Sequence, residues 1–600
     1  MADFPQIAAG VAWDLSDLYA GADDPRIERD LAEALGKADE FEANYRGRIA
    51  DPSLSAAVLR EALAALEAIL ETVSKAAAYA QLLFSSNSEN PVHGALLQKM
   101  MEKGTEVRRR VLFFDLEWMR LPDETAGGIM ADPLIARYRH YLERARRLRP
   151  HVLSEPEEQV LEAKANTAER AFSRLFDEIT ARARFPVSRR GETAALTEAE
   201  TLALLHDPDR DVRRAAAEGL TEGLRRDGHL HAFVFNTLIA DHASIDRLRR
   251  FPDPMASRHL DNETTGEIIE AMLGACERRY DLVARYYRLK RRLLGYDTLF
   301  DYDRYAPLEE AGGPAPWGDA RETVLAAFSG FSGGLGDIAR LFFDGRWIDA
   351  EMRPGKHGGA FSHGTVPSVH PYILMNYAGR PRDVMTLAHE LGHGVHQYLS
   401  RGQGIFHHDT PLTMAETASV MAEIITFRHI VEREADPKRR LAIVAGKIED
   451  TFATVFRQVA LTRFEQAFHR ARREEGEVPA EKADAIWMDV NRAMFGDSVT
   501  LTDGYAVWWR YIAHFVHTPF YCYAYAFAEL LVLSLYQTYK REGESFVPKY
   551  IDLLAAGGSD SPKNLLARLG IDTLAPGFWD TGLTFIEELV AEAEALAGEG

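Results

Sequence analysis

Cysteine is nearly absent: Cys276 and Cys522 are the only two in 600 residues, far apart and in no C-x-x-C spacing. Neither a disulfide framework nor a thiolate zinc site can be built from them, which fits a reducing compartment. A basic surplus is absent too. Lys+Arg number 70 against 91 Asp+Glu, a formal net charge of −21, so phosphate backbones and anionic lipid are repelled and no nucleic-acid or membrane partner is expected. The longest apolar stretch, around Leu530 to Leu535, is too short to span a bilayer and has Glu529 at its edge. The opening Met-Ala-Asp-Phe-Pro has neither the basic nor the apolar region of an export signal, so a cytoplasmic address is expected. There is no fixed-period repeat and no low-complexity tract. What remains is ordinary globular material, 46% apolar and 27% charged, which excludes disordered, collagen-like and mucin-like classes. The length allows several domains, or one large catalytic body with appendages.

From Arg26 to about Arg184 the pattern is almost continuously helical. Leu59, Leu63, Leu66, Leu70 and Val73 alternate four- and three-residue spacings, which puts one apolar stripe along a long helix. Ser154 with Glu157 is a capping box that opens a helix expected to run through Leu161 toward Ile179. The pattern breaks at Phe185-Pro186-Val187, and Arg190-Gly191-Glu192 sits where a hairpin ending near Leu196 would turn. The domain boundary is placed here: an N-terminal helical domain, 1–184, and a catalytic domain, 185–600. A second helical array follows, with a Gly/Pro loop at Gly312-Gly313-Pro314-Ala315-Pro316. Between Trp347 and Asn376 the composition turns to glycine, aromatic and β-branched residues. Val369 to Tyr377 reads as a strand, which Pro371 would hold at a sheet edge because proline cannot donate to a ladder. Helices resume near Arg382, so the fold expected is mainly α with a small β-sheet beside the richest chemistry.

That chemistry is Leu-Ala-His-Glu-Leu-Gly-His-Gly-Val-His-Gln-Tyr, residues 387–398. On a helix, His389 and His393 project from one face a turn apart, the spacing that two ligands of one zinc ion require. Glu390 lies beside the metal rather than on it, placed to take a proton from zinc-bound water. A metzincin would need glycine and histidine where His396 and Leu399 stand, so that class is excluded. Zincins with a glutamate ligand carry it on a following helix, and Glu416, within Thr413-Met414-Ala415-Glu416-Thr417-Ala418-Ser419, is the choice. Glu423 is the runner-up, better suited to accept from the far nitrogen of a ligand histidine. His396 either donates to a ligand's neighbour or lines the cleft; His407 and His408 receive no role. Two histidines and one glutamate leave a fourth position for water, the mark of a catalytic zinc site, with one Zn2+ per chain and metal-assisted hydrolysis of a peptide bond as the reaction.

The tetrahedral intermediate needs donors besides the metal. Residues 514–525, His-Phe-Val-His-Thr-Pro-Phe-Tyr-Cys-Tyr-Ala-Tyr, are rich in them. Tyr525 with one of His514 or His517 is favoured, and Tyr523 is a further candidate.

The chain resembles the oligoendopeptidase F branch of the thimet oligopeptidase-like zinc metallopeptidases. The resemblance runs through Trp13-Asp14-Leu15-Ser16-Asp17-Leu18-Tyr19, Leu153-Ser154-Glu155-Pro156-Glu157-Glu158, Gly355-Lys356-His357-Gly358-Gly359-Ala360-Phe361, the zinc helix with Gly392, Phe456-Arg457-Gln458 and Ala556-Gly557-Gly558-Ser559. It implies a zincin-type core in a helical ellipsoid with a deep central channel that admits short peptides and excludes folded proteins. It implies ligand roles for His389, His393 and Glu416 and the base for Glu390, and a strand at 369–377 pairing with substrate backbone. The function expected is a zinc metalloendopeptidase acting on short unfolded oligopeptides. The alternatives are a zinc carboxypeptidase or dipeptidase with a similar channel, and a non-catalytic peptide-binding protein. The oligomeric state is left open.

Overall fold

A computed structural model describes residues 6–189, 191–308 and 313–598. The opening pentapeptide, Arg190 and Gly312 of the sequence reading lie outside them. The chain divides into two compact units of three segments each. The first comprises Met1–Arg149, Gly312–Arg433 and Thr538–Asp572, and the second Pro150–Ala311, Glu434–Gln537 and Thr573–Gly600. Helices dominate both, and none among the described residues is long and apolar enough to cross a membrane.

In the first unit the helix Ala56–Ser86 packs between Pro25–Tyr45 and Pro91–Val111. It begins where the Ser55 hydroxyl accepts from the Val58 N–H at 3.3 Å. Of its expected stripe, Leu59, Leu63, Leu66 and Val73 are buried, and Leu70 is half-buried at the margin of the same core. Each such side chain withdrawn from water contributes about 1.5–3 kcal/mol before entropy is counted. The core they build with Phe41, Phe114 and Trp118 reaches Tyr372 and Leu374.

Those last two residues belong to a three-stranded sheet of Ile348–Asp349 (β3), Phe361–His363 (β4) and Tyr372–Leu374 (β5), which follow a hairpin of the second unit in the chain. The order is β3-β5-β4, with β5 parallel to β3 and antiparallel to β4. The strand expected at 369–377 is therefore shorter and lies in the centre, not at an edge; β3 and β4 are the edges. Pro371 precedes the first paired residue, so the ladder never calls on its missing N–H. Lys356, its side chain buried, fastens this sheet by donating to the carbonyls of Asp349, Glu351 and Met375 at 3.0, 2.8 and 2.6 Å and pairing with the Asp349 carboxylate at 2.7 Å. The Gly-Lys-x-x-Gly-Ala-Phe element is thus a clamp on the sheet that flanks the helix Pro381–Ser400.

In the second unit Phe185–Arg189 (β1) and Glu192–Leu196 (β2) form the expected antiparallel hairpin. It lies against the helix Arg210–Arg226, where a Cβ on Gly219 would stand 2.5 Å from the Pro186 carbonyl oxygen. The capping box at Ser154 and Glu157 is present. Its helix ends at Ala165, and a separate one, Glu169–Arg182, follows; Thr167 closes the break by donating its N–H to the Lys164 carbonyl at 2.9 Å. Phe235, Phe464, Phe468, Trp487, Trp509 and Phe515 form this unit's aromatic core.

Candidate metal centre

The helix Pro381–Ser400 starts with proline at its first position and with the Asp383 carboxylate accepting from the N–H groups of Ala378 and Arg380 at 2.9 and 3.0 Å. Val384, Leu387, Ala388, Leu391 and Val395 bury one side. His389 and His393 stand a turn apart on the other, their Nε2 atoms 3.2 Å apart. Glu416 occupies the joint between the short helix Leu412–Ala415 and the helix Thr417–Val431. Its Oε2 lies 3.5 Å from His389 Nε2 and 3.3 Å from His393 Nε2.

Gly392 permits this approach. A Cβ there would lie 2.6 Å from the Ala418 carbonyl oxygen and 2.7 Å from Ser419 Cα, so the two helices can cross at this closeness only over a glycine. The Tyr550 hydroxyl, donating to the Thr417 carbonyl at 2.9 Å, holds the start of the second helix.

The three ligand atoms form a triangle with edges of 3.2, 3.3 and 3.5 Å. A tetrahedral zinc ion with bonds of about 2.0–2.1 Å separates its ligand atoms by roughly 3.3–3.4 Å. The donor set therefore fits that ion in kind and in size, and it is the one group of this type found among the described residues.

The surroundings set the charge of each member. Glu423 Oε1 lies 2.7 Å from His389 Nδ1, which makes Nδ1 a donor and turns Nε2 toward the triangle. Burial opposes protonation of His389, but the Glu423 hydrogen bond and the charges of Glu423, Glu416 and Glu390 outweigh it and raise its pKa to about 9. Burial also works against ionisation of Glu416, yet the hydrogen bond from His393 and the charges of both imidazoles bring it down to about 2; the Ser419 hydroxyl adds a bond at 2.5 Å. Three carboxylates around two imidazoles give the pocket the sign that attracts a cation. Glu390 is 6% exposed, and its pKa is raised chiefly by burial, which moves it toward the range where a carboxyl can both take and return a proton.

His396 is buried and outside the triangle. Burial, followed by the charge of His393, lowers it to about 4, and its neutral ring bonds the backbone of Ala415, immediately before Glu416. His407 and His408 are buried under Gly557 and Gly558, where added Cβ atoms would strike the carbonyl oxygens of residues 407 and 409. That packing accounts for the Ala-Gly-Gly-Ser motif.

The oxyanion candidates lie in the second unit. His514 Nε2 is 3.3 Å from the Tyr525 hydroxyl, with the Tyr521 ring against both. Tyr523 is apart from them: its buried hydroxyl accepts from Asn262 Nδ2 at 2.9 Å and meets His259 Nδ1 at 3.1 Å. His517 faces outward and pairs with Asp177 at 2.8 Å. Half-buried Arg457, whose charge acts on His514, belongs to the Phe-Arg-Gln motif, and nothing in that motif alone reveals its neighbours.

Residues 336–584 match the family described as Peptidase family M3, and residues 117–185 the one described as Oligopeptidase F. Oligopeptidase PepF of Bacillus subtilis (strain 168) is 26% identical over 600 residues, 99% of this chain and 88% of that protein. Group B oligopeptidase PepB of Streptococcus agalactiae is 26% identical over 602 residues, covering 98% and 97%. The crystal structure of oligoendopeptidase-F from Enterococcus faecium superimposes with a TM-score of 0.68 at 23% identity, over 95% of this chain and 98% of that one. A crystal structure from Chlamydophila abortus gives 0.89 at 23%, over 99% and 100%. At these identities the structural likeness speaks to the fold.

Proposed function

We propose, from the premise that the chain belongs to the oligoendopeptidase F branch of peptidase family M3, that it is a zinc-dependent endopeptidase of short unfolded oligopeptides. The observation that carries the reading is the triangle of His389, His393 and Glu416 with Glu390 buried beside it. Two imidazoles and one carboxylate suit zinc better than magnesium or calcium, which favour all-oxygen shells. A zinc ion held there would supply Lewis-acid polarisation of water and of a peptide carbonyl. Glu390 takes the proton of the attacking water and hands it to the departing amine. Glu423 keeps the His389 ring oriented, and His396 holds the backbone that presents Glu416. Tyr525 and His514 are assigned to hydrogen bonding of the carbonyl oxygen as it gains charge. The edge strand β4, in place of 369–377, is assigned to pairing with substrate backbone; such bonds carry no side-chain information, so broad tolerance is expected.

Internally quenched peptides with both ends blocked test the reading, together with zinc analysis of the purified protein. Cleavage at internal bonds with about one zinc per chain, and loss of both in Glu416→Ala, is expected. Cleavage only of peptides with free ends would make the protein an exopeptidase. Zinc-replete protein that binds peptides and cuts none would leave a binding protein.

A further inference from the structure

Arg457 is the second residue of the helix Phe456–Glu475 in the second unit, and Phe456 beside it is fully buried. Its guanidinium is half-buried, and its partners are phenols: Nη2 donates to the Tyr511 hydroxyl at 3.0 Å and Nη1 reaches the Tyr305 hydroxyl at 3.5 Å. No carboxylate pairs with it among the described residues. The nearby Glu449 is committed to Lys290 at 2.6 Å and to the Tyr286 hydroxyl. A second guanidinium, that of buried Arg304, lies over the rings of Tyr305 and Tyr505 at 5.0 and 5.1 Å and gives its Nε hydrogen to the Asp301 carbonyl.

We propose that Arg457, with the hydroxyls of Tyr305 and Tyr511, is a receptor for a carboxylate of the bound peptide. Three features support this. A half-buried guanidinium without an anion forgoes the strongest hydrogen bonds open to it, and its planar fork matches a carboxylate in two parallel bonds. Each phenol accepts from the guanidinium and has a proton of its own to give, so the cluster can offer several donors to one anion. The local potential is positive: burial favours neutral Tyr305, yet the charges of Arg457 and Arg304 outweigh it and hold its pKa below the ordinary tyrosine value. The cluster adjoins His514, whose pKa is lowered first by burial and then by the Arg457 charge.

The proposal rests on the peptidase reading only in taking the ligand to be a peptide. The carboxylate is either the free C-terminus or an acidic side chain, and the test separates them. N-terminally fluorescein-labelled octapeptides of neutral sequence are prepared as the free acid, as the amide, and as amides with one Glu at successive positions. Their affinities are measured by polarisation on zinc-loaded Glu390→Gln protein at neutral pH. One acidic form is expected to bind at least about 10-fold more tightly than the neutral amide, the scale of a charge-assisted hydrogen bond. The preference should vanish in Arg457→Gln, survive in part in Arg457→Lys, which keeps charge but not the fork, and weaken in Tyr511→Phe. Equal affinities for all peptides, a preference that persists in Arg457→Gln, or no peptide binding at all would overturn the proposal. Should Arg457→Gln not fold, the Lys and Phe variants decide. If wild-type protein cuts no blocked peptide while the preference holds, the peptidase reading falls and the receptor stands.

Discussion

Glu390, Glu416 and Glu423 are chemically alike, and their positions give them different work. Glu390 follows His389 by one residue and so points a third of a turn away from it, buried and near the ligand triangle. Glu390→Gln is expected to keep its zinc and peptide affinity while turnover falls by about 10²–10⁴; near-normal turnover would remove the residue from the mechanism. Glu423 reaches the far nitrogen of His389. In Glu423→Ala, competition with a chelator should show zinc affinity reduced by about 10–100-fold. At this scale the pairing of His389 with His393 on one face was readable from spacing, since helix geometry places residues four apart together, whereas Glu416 was reached only through the helix that follows and the resemblance. The oxyanion candidates were not. Tyr521, Tyr523 and Tyr525 look equivalent in sequence, but Tyr523 begins a helix, and residues two apart on a helix point to nearly opposite sides. Tyr523 therefore turns into the core toward Asn262, and Tyr525 toward His514.

Between elements, the decisive contact is the crossing of Pro381–Ser400 over Thr417–Val431 at Gly392. Gly392→Ala puts a methyl group against backbone that cannot swing aside. It is expected to cost about 1–3 kcal/mol in denaturant melts and, by pushing Glu416 outward, to weaken zinc binding as well. An unchanged zinc affinity would show that the crossing does not position the carboxylate. The long helix Ala56–Ser86 was legible because its stripe repeats over many turns. The sheet was legible only as a strand. Which strand lies in the middle depends on partners at 348–349 and 361–363, and no local pattern in 369–377 reveals that it is flanked on both sides.

For the molecule as a whole, stability should respond to pH through Glu465, which is fully buried and accepts from the Phe520 N–H at 2.9 Å. Burial raises its pKa from 4.5 to about 8. Over that window the unfolded chain has lost this proton and the folded chain keeps it, so the contribution of this group to stability declines as pH rises. Glu465→Gln cannot ionise, and its melting temperature relative to wild type should climb between about pH 5 and pH 8; a constant difference would place the group's ionisation elsewhere. Periodicity announced a large, mainly helical chain but not how its segments are shared out, because no residue marks where a chain departs from one core and later rejoins it. The first 149 residues share a unit with 538–572, which the ribosome delivers hundreds of codons afterwards. The earliest helices thus leave the exit tunnel lacking part of their eventual neighbours, and the first unit can close only when synthesis is almost over.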